Sequence, residues 1–507
     1  MRHFLLLLCV LTGCKKSAPS STEGPAVAAE KLPPVGVDDP FPRLNDATAR
    51  ALKAGFKALR GKSYDQARAS FHEVVAAHPD YVKARYHELR AAALAGAYGD
   101  LPTMWAELLA RDFVGYAGSL DQAKDLAALR KADEWPRLQA IEKQVRGAYA
   151  SGLDKGLIFV ARTRPGRSKR PDNHSEVTAF ASGQEAFHYD PASQRYRRLT
   201  ATDARILAIA VSPNRQQLSF LTCEHLGDEC EAQDDGVNYC SVGCAGPLGG
   251  AIELGSLTRH GPASILGRNS RTVPTGGVYL GWSKSGEPRF LVEDATRKEV
   301  GRHEYEKEVT RETAYAFDAT HTALVSLDDK DASLWTRVEG LDAAPVTPST
   351  DGVSLTSDGL ALQIAGEAAP LRAGRTIVTT TWSPGKKRLL YAGDPCAGFK
   401  VKGGKGVPEK NELYLWDAGK KKAERIARAA ATFDALWLDD DHLAWVTGFG
   451  KEAKIHLYDL ATRTERPLKA GRGAGLWRVP ELSCDEAPEP YDDGIAADDE
   501  EEFVDGE

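Results

Sequence analysis

None of the common catalytic or phosphate-binding signatures occurs in these 507 residues. There is no G-x-S-x-G turn to raise a nucleophilic serine, so the hydrolase partner of peptidase-type β proteins is not expected. Gly281-Trp282-Ser283-Lys284-Ser285-Gly286 comes near, but its second glycine is one position late, and it reads as a strand running into a turn. No H-E-x-x-H helix and no Walker A loop is present. Gly249-Gly250 and Gly403-Gly404 are loop glycines without the rest of a phosphate cradle. The histidines are scattered, and His303 and His321 read as solvated or core-satisfied rather than catalytic. A global excess of one charge is also missing. The twelve acids that follow Cys484 hide it: without them the formal −7 becomes about +5, so neither nucleic acid nor a membrane surface is an expected partner of the folded part. Apolar residues at 42% and charged residues at 27% are those of a folded globular chain.

The leading apolar run, Phe4 to Leu11 behind Arg2 and His3, is too short to span a bilayer and reads as a targeting signal. It ends in Leu11-Thr12-Gly13-Cys14, which resembles the bacterial lipobox. The resemblance implies cleavage before Cys14, diacylation of its thiol and anchoring by acyl chains, each buried CH₂ contributing about 0.8 kcal/mol. Lys15, where an aspartate would imply inner-membrane retention, leans the implied address to the outer membrane. Residues 1–13 are thus a signal peptide. Residues 14–43, rich in Ser, Ala, Pro and Glu, read as a disordered tether.

From residue 44 to 150 the periodicity is helical. Leu52, Phe56 and Leu59 fall on one helix face. Gly61-Lys62-Ser63 is a turn, Tyr64 to Ala77 a second helix, and Pro79 its stop. Gly55, Tyr64, Ala67, Phe71 and Pro79 stand at the spacings of a tetratricopeptide repeat, which this region resembles. A more degenerate unit runs from Tyr81 to about Ala110, with Gly96, Tyr98 and Trp105 in the corresponding places. Leu120 to Leu129 and Trp135 to Tyr149 form a helical cap. The resemblance implies a groove for peptides or partner proteins; a packing spacer is the plainer reading. Arg68, Lys83 and Arg85 read as a solvated basic face.

Past Gly156 short strands recur. FHYDPASQRYRRLT, ELYLWDAGKKKAERIA and IHLYDLATRTERPL share one form: apolar alternation, an aromatic, Asp, a polar turn and a basic strand. IAVSPNRQQLSFL, TTWSPGKKRLLY, TFDALWLDDDHLAWV and AYAFDATHTALV supply the other half. Small four-stranded sheets cannot bury both faces alone, so they need neighbours of their own kind. Ser212-Pro213-Asn214 with Leu218 and Phe220, and Ser383-Pro384-Gly385 with Leu389 and Tyr391, resemble the TolB-type, WD-like propeller repeat. The fold class expected is multidomain, α then all-β: a short helical-repeat domain followed over residues 155–484 by a β-propeller of six to eight blades, seven favoured. Trp477 is the candidate for pairing into the first blade and closing the ring. A β-sandwich with a second β domain is the alternative.

Once Cys9 leaves with the signal and Cys14 is acylated, six cysteines remain: Cys223, Cys230, Cys240, Cys244, Cys396 and Cys484. An even number in an exported chain points to disulfides, with fifteen possible pairings. Two bridges within the loop holding the first four, and one from Cys396 to Cys484, are the expected set. The last would contribute roughly 4 kcal/mol by closing a long loop. A zinc site is disfavoured, because only Cys240 and Cys244 have ligand spacing. Asp228, Glu229, Asp234 and Asp235 read as solvated loop acids, without the spaced pattern of a calcium loop. The tail, 485–507, is acidic and reads as disordered.

The expected function is a lipid-anchored cell-envelope binding or scaffold protein. It would act through protein contacts of propeller and helical arm, with another envelope protein as partner and the membrane reached through Cys14. No metal, cofactor or catalytic residue is expected. The alternative is an enzyme, a lyase or glycan-acting protein, with its site in the propeller channel. Mass spectrometry of the mature chain should find Cys14 N-terminal and acylated. Cys14→Ser should release the protein into the soluble fraction; an unacylated mature chain would remove the anchor.

Overall fold

The computed structural model describes residues 32–162, 184–202, 204–212, 214–232, 238–265, 277–283, 285–301, 304–327, 336–338, 352–355, 361–367, 369–372, 377–393, 400–402, 405–407, 410–430, 435–447 and 454–468. The signal, Cys14, Cys396, Trp477, Cys484 and the acidic tail lie outside them, as does the strand expected over Glu176 to Ala181. Among the described residues no helix is long and apolar enough to cross a membrane.

Among the described residues seven α-helices come first: α1 (Asp46–Arg60), α2 (Tyr64–Ala77), α3 (Val82–Leu94), α4 (Leu101–Arg111), α5 (Phe113–Tyr116), α6 (Ser119–Gln122) and α7 (Trp135–Ala150). The Asn45 side chain caps α1 by accepting from the Thr48 amide at 2.9 Å, and Pro79 follows the end of α2. The α1–α2 contact is close at Gly55. A Cβ on Gly55 would stand 2.7 Å from the Phe71 ring, which is fully buried. The buried stripe of α1 is Thr48, Ala51, Gly55 and Ala58, so Leu52, Phe56 and Leu59 flank it half-buried instead of forming its centre. Small residues take the centre because α2 approaches there. Trp105 is buried in α4. The expected helix over Leu120 to Leu129 breaks into α6 and two single 3₁₀ turns. The basic face is not simply solvated: Arg85 is buried and ion-paired with Glu107, Arg68 meets Asp100 at 2.6 Å, and Lys83 lies over the Phe56 ring.

Among the described residues six antiparallel sheets of three or more strands follow, with strands pairing in chain order except for one strand added to the third and a two-stranded ribbon interrupting the fifth. The first holds β1 (Leu157–Arg162), β2 (Gln184–Asp190) and β3 (Arg195–Arg198). The second holds β4 (Arg205–Val211), β5 (Gln217–Ala232), β6 (Asn238–Glu253) and β7 (Arg259–Ser264). The third has β8 (Gly277–Trp282), β9 (Pro288–Gly301), β10 (Glu304–Phe317) and β11 (Leu324–Ser326), with β12 (Thr336–Val338) added beside β8. The fourth is β13 (Val353–Leu355), β14 (Ala361–Ile364) and β15 (Leu371–Arg372). In the fifth, β16 (Ile377–Trp382) and β17 (Arg388–Gly393) pair on to β20 (Lys410–Asp417) and β21 (Lys422–Ala430), with the ribbon of β18 (Lys400–Lys402) and β19 (Lys405–Val407) between. The sixth is β22 (Ala435–Trp437), β23 (His442–Thr447), β24 (Lys454–Asp459) and β25 (Thr464–Pro467).

The repeat is physical as well as textual. Ser212, Ser283 and Ser383 open the turn after the first strand of their sheets, and each hydroxyl accepts from the amide four residues on, at 3.1, 3.1 and 3.2 Å. Three residues after each serine the backbone is left-handed, at Arg215, Gly286 and Lys386. In the outer hairpins Asp190, Asp417 and Asp459 accept from the amide two residues on. Gln194, Lys421 and Arg463, four after each aspartate, again have positive φ.

Five junctions between neighbouring sheets are seen among the described residues. Ile206 donates to the Gln184 side chain at 2.9 Å, joining the second sheet to the first. Gly249 lies so close to Phe290 of the third sheet that a Cβ would be 2.7 Å away. Leu362 and Ile364 share a core with Leu389, Tyr391 and Trp416. Trp437 donates to the Thr381 carbonyl at 3.0 Å. The sixth sheet then reaches the first: Leu438, Ala444, Ile455 and Leu457 share one core with Phe159, Phe187 and Tyr189, and Arg466 bonds the Tyr189 hydroxyl and the Gln194 side chain. This makes the second domain a β-propeller rather than a sandwich. The described residues supply six sheets of three or more strands and one two-stranded ribbon.

Two further sequence expectations change. The cysteine-rich loop is a long hairpin, because β5 and β6 pair along fifteen positions from Gln217↔Glu253 to Ala232↔Asn238. Residues 33–43, read as the end of a tether, lie against the folded body. Val37 is buried and exchanges both backbone hydrogen bonds with Tyr196 on the edge of β3, each 2.8 Å. Two hydrophobic residues, Val37 and Phe41, give this polar, proline-rich stretch enough to bury.

Gly55→Leu is expected to destabilise the helical domain by about 1–3 kcal/mol through overpacking, and Phe71→Ala by about 3–5 kcal/mol through the cavity it leaves. The double variant should cost less than the sum, since the alanine vacates the space the leucine needs. Urea unfolding followed by far-UV circular dichroism measures all three.

Candidate functional site: a groove between the helices and the first blade

The first sheet is held from the helical side by a charged joint. The Arg197 guanidinium donates to the carbonyls of Tyr149 and Ser151 at 2.8 and 2.6 Å, at the end of α7. Its other nitrogen approaches His188 Nδ1 at 3.2 Å, and His188 Nε2 meets the Lys155 carbonyl. Burial, with Arg197 beside it, pushes the His188 pKa down to about 3, so the ring is neutral. An unfolded histidine protonates near 6.5, so this ring's contribution is complete above that pH and declines as pH falls toward 3.

Arg198, next in sequence, points to the opposite side. It donates to Glu185 Oε1 at 2.7 Å and lies 3.4 Å from Asp112 Oδ2, while Thr200 donates to Glu185 Oε2 at 2.6 Å. Asp112 also caps α5 by accepting from the Gly115 amide at 2.8 Å. Burial works against the Arg198 charge, but the two carboxylates outweigh it and raise its pKa. One residue step along β3 therefore splits two arginines: one ties α7, the other ties α5.

Above Arg198 opens a groove of about 520 Å³. Val37, Pro40, Phe41 and Pro42 of the N-terminal segment form one wall, Tyr81, Val82 and Lys83 at the start of α3 another, and Arg111, Asp112 and Tyr116 a third. Phe41 meets Phe187 edge-on, ring centres 5.3 Å apart. Asp80 fixes the rim: its carboxylate accepts from the Asp38 and Asp39 amides, each 3.0 Å, and lies 3.7 Å from Arg111 Nε. Burial raises the pKa of both Tyr81 and Tyr116, away from any role as a base at neutral pH. No histidine, cysteine or serine is among the groove's lining residues, and Asp112 is engaged with α5 and Arg198. The groove presents aromatic and proline surfaces with fixed positive and negative groups.

Sequence reasoning pointed elsewhere. The register of β5 and β6 sets Cys230 opposite Cys240, while Cys223 faces Pro247 and Cys244 faces Leu226, so the other two cysteines are offset along the ladder. None of these four lies at the groove. Asp112, Glu185, Arg197 and Arg198 were missed because their partners are remote in sequence. The adjacent arginines in RYRR, on a strand whose neighbours alternate in and out, were the available signal.

No family model matches the chain, and no curated protein matches it. Solved structures do. TolB from Acinetobacter baumannii is similar over 66% of this chain and 71% of its own, at 12% identity and a TM-score of 0.27. The AtxE2 isopeptidase aligns over 63% of this chain and 54% of its own, at 10% identity and a TM-score of 0.31. An oligogalacturonate lyase in complex with manganese aligns over 59% of this chain and 73% of its own, at 12% identity and a TM-score of 0.21. At such scores none of the three carries an argument about what this chain does.

Arg198→Met should destabilise the fold by about 3–5 kcal/mol, because it leaves Glu185 and Asp112 buried without their cation. Adding Glu185→Gln should recover part of that loss, as thermal unfolding of single and double variants would show.

Proposed function

We propose that this chain is a lipid-anchored cell-envelope binding or scaffold protein, and that the groove between the helices and the first blade receives an extended segment of a partner protein. The observation that carries the reading is the groove itself: aromatic and proline walls contributed by three separate parts of the chain, with charges already held in place. Pre-ordered walls lower the entropic cost of binding. Its tyrosines are shifted away from neutrality, which favours recognition over acid–base chemistry. The anchor rests on Leu11-Thr12-Gly13-Cys14 behind its short apolar run.

A photo-crosslinking residue in place of exposed Lys83 should give a discrete covalent adduct with one envelope protein. The same residue at exposed Arg425 on the fifth blade should give none. Phe41→Ala should lower the yield at position 83 at least tenfold. Absence of an adduct, or equal labelling from both positions, would overturn the reading.

A further inference from the structure

On the seam between the second and third blades two histidines face each other outside the groove. His260 lies on β7 and is buried; His321 lies in the turn between β10 and β11 and is exposed. Their Nδ1 atoms stand 2.5 Å apart, with ring centres at 4.1 Å. The backbones are fixed independently of the rings. The Gly261 amide donates to the His321 carbonyl at 3.2 Å, and Asp318 holds its turn by accepting from the Thr322 and Ala323 amides at 3.0 and 3.2 Å. Phe317 backs both rings.

We propose that His260 and His321 form a two-imidazole site for a divalent transition-metal ion. The other nitrogen of His260 supports this assignment. Its Nε2 lies 3.2 Å from Glu253 Oε1, and that carboxylate is oriented by Ser256, whose hydroxyl donates to Oε2 at 2.8 Å. A proton held on Nε2 leaves Nδ1 as a lone pair, the arrangement by which a second carboxylate orients a metal-binding histidine. With that lone pair on His260, the His321 Nδ1–H is the donor of the contact, and an ion binding here would displace this one proton and take both Nδ1 lone pairs. Two imidazole ligands at 2.0–2.1 Å from a tetrahedral ion would stand about 3.4 Å apart. The exposed His321 ring reaches that span by swinging outward about 1 Å. The pair opens on a surface cavity of about 500 Å³ lined by Thr258, Thr320 and Thr322, which leaves room for waters to complete the coordination. Arg259 also borders it, but its guanidinium donates to the Val114 carbonyl at 2.7 Å. Among the described residues no third side chain completes a metal cluster. The site would therefore be open and exchangeable, suited to Zn²⁺, Ni²⁺ or Cu²⁺ and not to Ca²⁺. The binding of one such ion would pin two blades together at their outer edge.

Titration calorimetry of the full chain with NiCl₂ tests this. Wild type should bind about one ion more than His321→Ala, which removes an exposed ring and should leave the circular dichroism unchanged. Glu253→Gln should keep the site but weaken it about 10–100-fold. CaCl₂ should show no difference between wild type and variants, whatever the acidic tail binds. Equal Ni²⁺ stoichiometry and affinity in wild type and His321→Ala would overturn the assignment, as would an unaffected Glu253→Gln.

Discussion

A sheet of three strands has two rows of backbone donors and acceptors with nothing to pair them, and two faces too small to bury alone. Among the described residues the first sheet has three strands, and the architecture around it supplies much of what they need. Val37 pairs with Tyr196 on its outer edge. The sixth sheet covers one face through Leu438, Ile455 and Leu457. On the helical side, the end of α7 and the cap of α5 receive the guanidinium groups of Arg197 and Arg198. Each supplier comes from a different part of the chain, so this small sheet is where the helices, the N-terminal segment and the ring all meet, with Arg259 of the second sheet adding its own bond to the Val114 carbonyl of α5.

The groove is a by-product of that fixing. Phe41 is where it is because Val37 has been hydrogen-bonded four residues earlier, and Asp80 is held by the backbone of Asp38 and Asp39. Arg198 forms its floor because it must neutralise Glu185 and Asp112. Binding surface and structural joint are made from the same residues. A ligand in the groove would therefore touch the elements that orient the helical domain.

The legible parts of the sequence were those with local causes. Tyr64 to Ala77 was bounded by a turn and a proline, and the helix has those limits. The strands flanking Ser383 and Asp417 follow from turn chemistry that acts within five residues, and the sheet order β16-β17-β20-β21 matches it. The less legible parts had distant causes. Leu52, Phe56 and Leu59 gave way to Ala51, Gly55 and Ala58 because α2 comes close, which periodicity alone does not weigh. The cysteine-rich stretch looked like a loop from its glycines and acids, yet backbone pairing extends through it. Residues 33–43 carry the composition of a tether and are held by buried Val37, half-buried Phe41 and one bridge. His321 read as solvated or core-satisfied, and it is exposed; that it faces His260 was not legible, because the two lie 61 residues apart.

The closure of the ring also sets an order of events during synthesis. Tyr189 and Arg466, which meet at the seam, are 277 residues apart, so the first sheet leaves the ribosome long before the last one exists. Contacts of such sequence separation form slowly. Through that interval Phe159, Phe187 and Tyr189 present an uncovered apolar face, the kind of transient surface that draws nascent chains into aggregation. The helical domain precedes the ring in the chain and is complete by residue 150, so its side of the first sheet can be covered at once. The half-finished propeller would then wait with only its closing face bare, which is the surface a chaperone would have to shield.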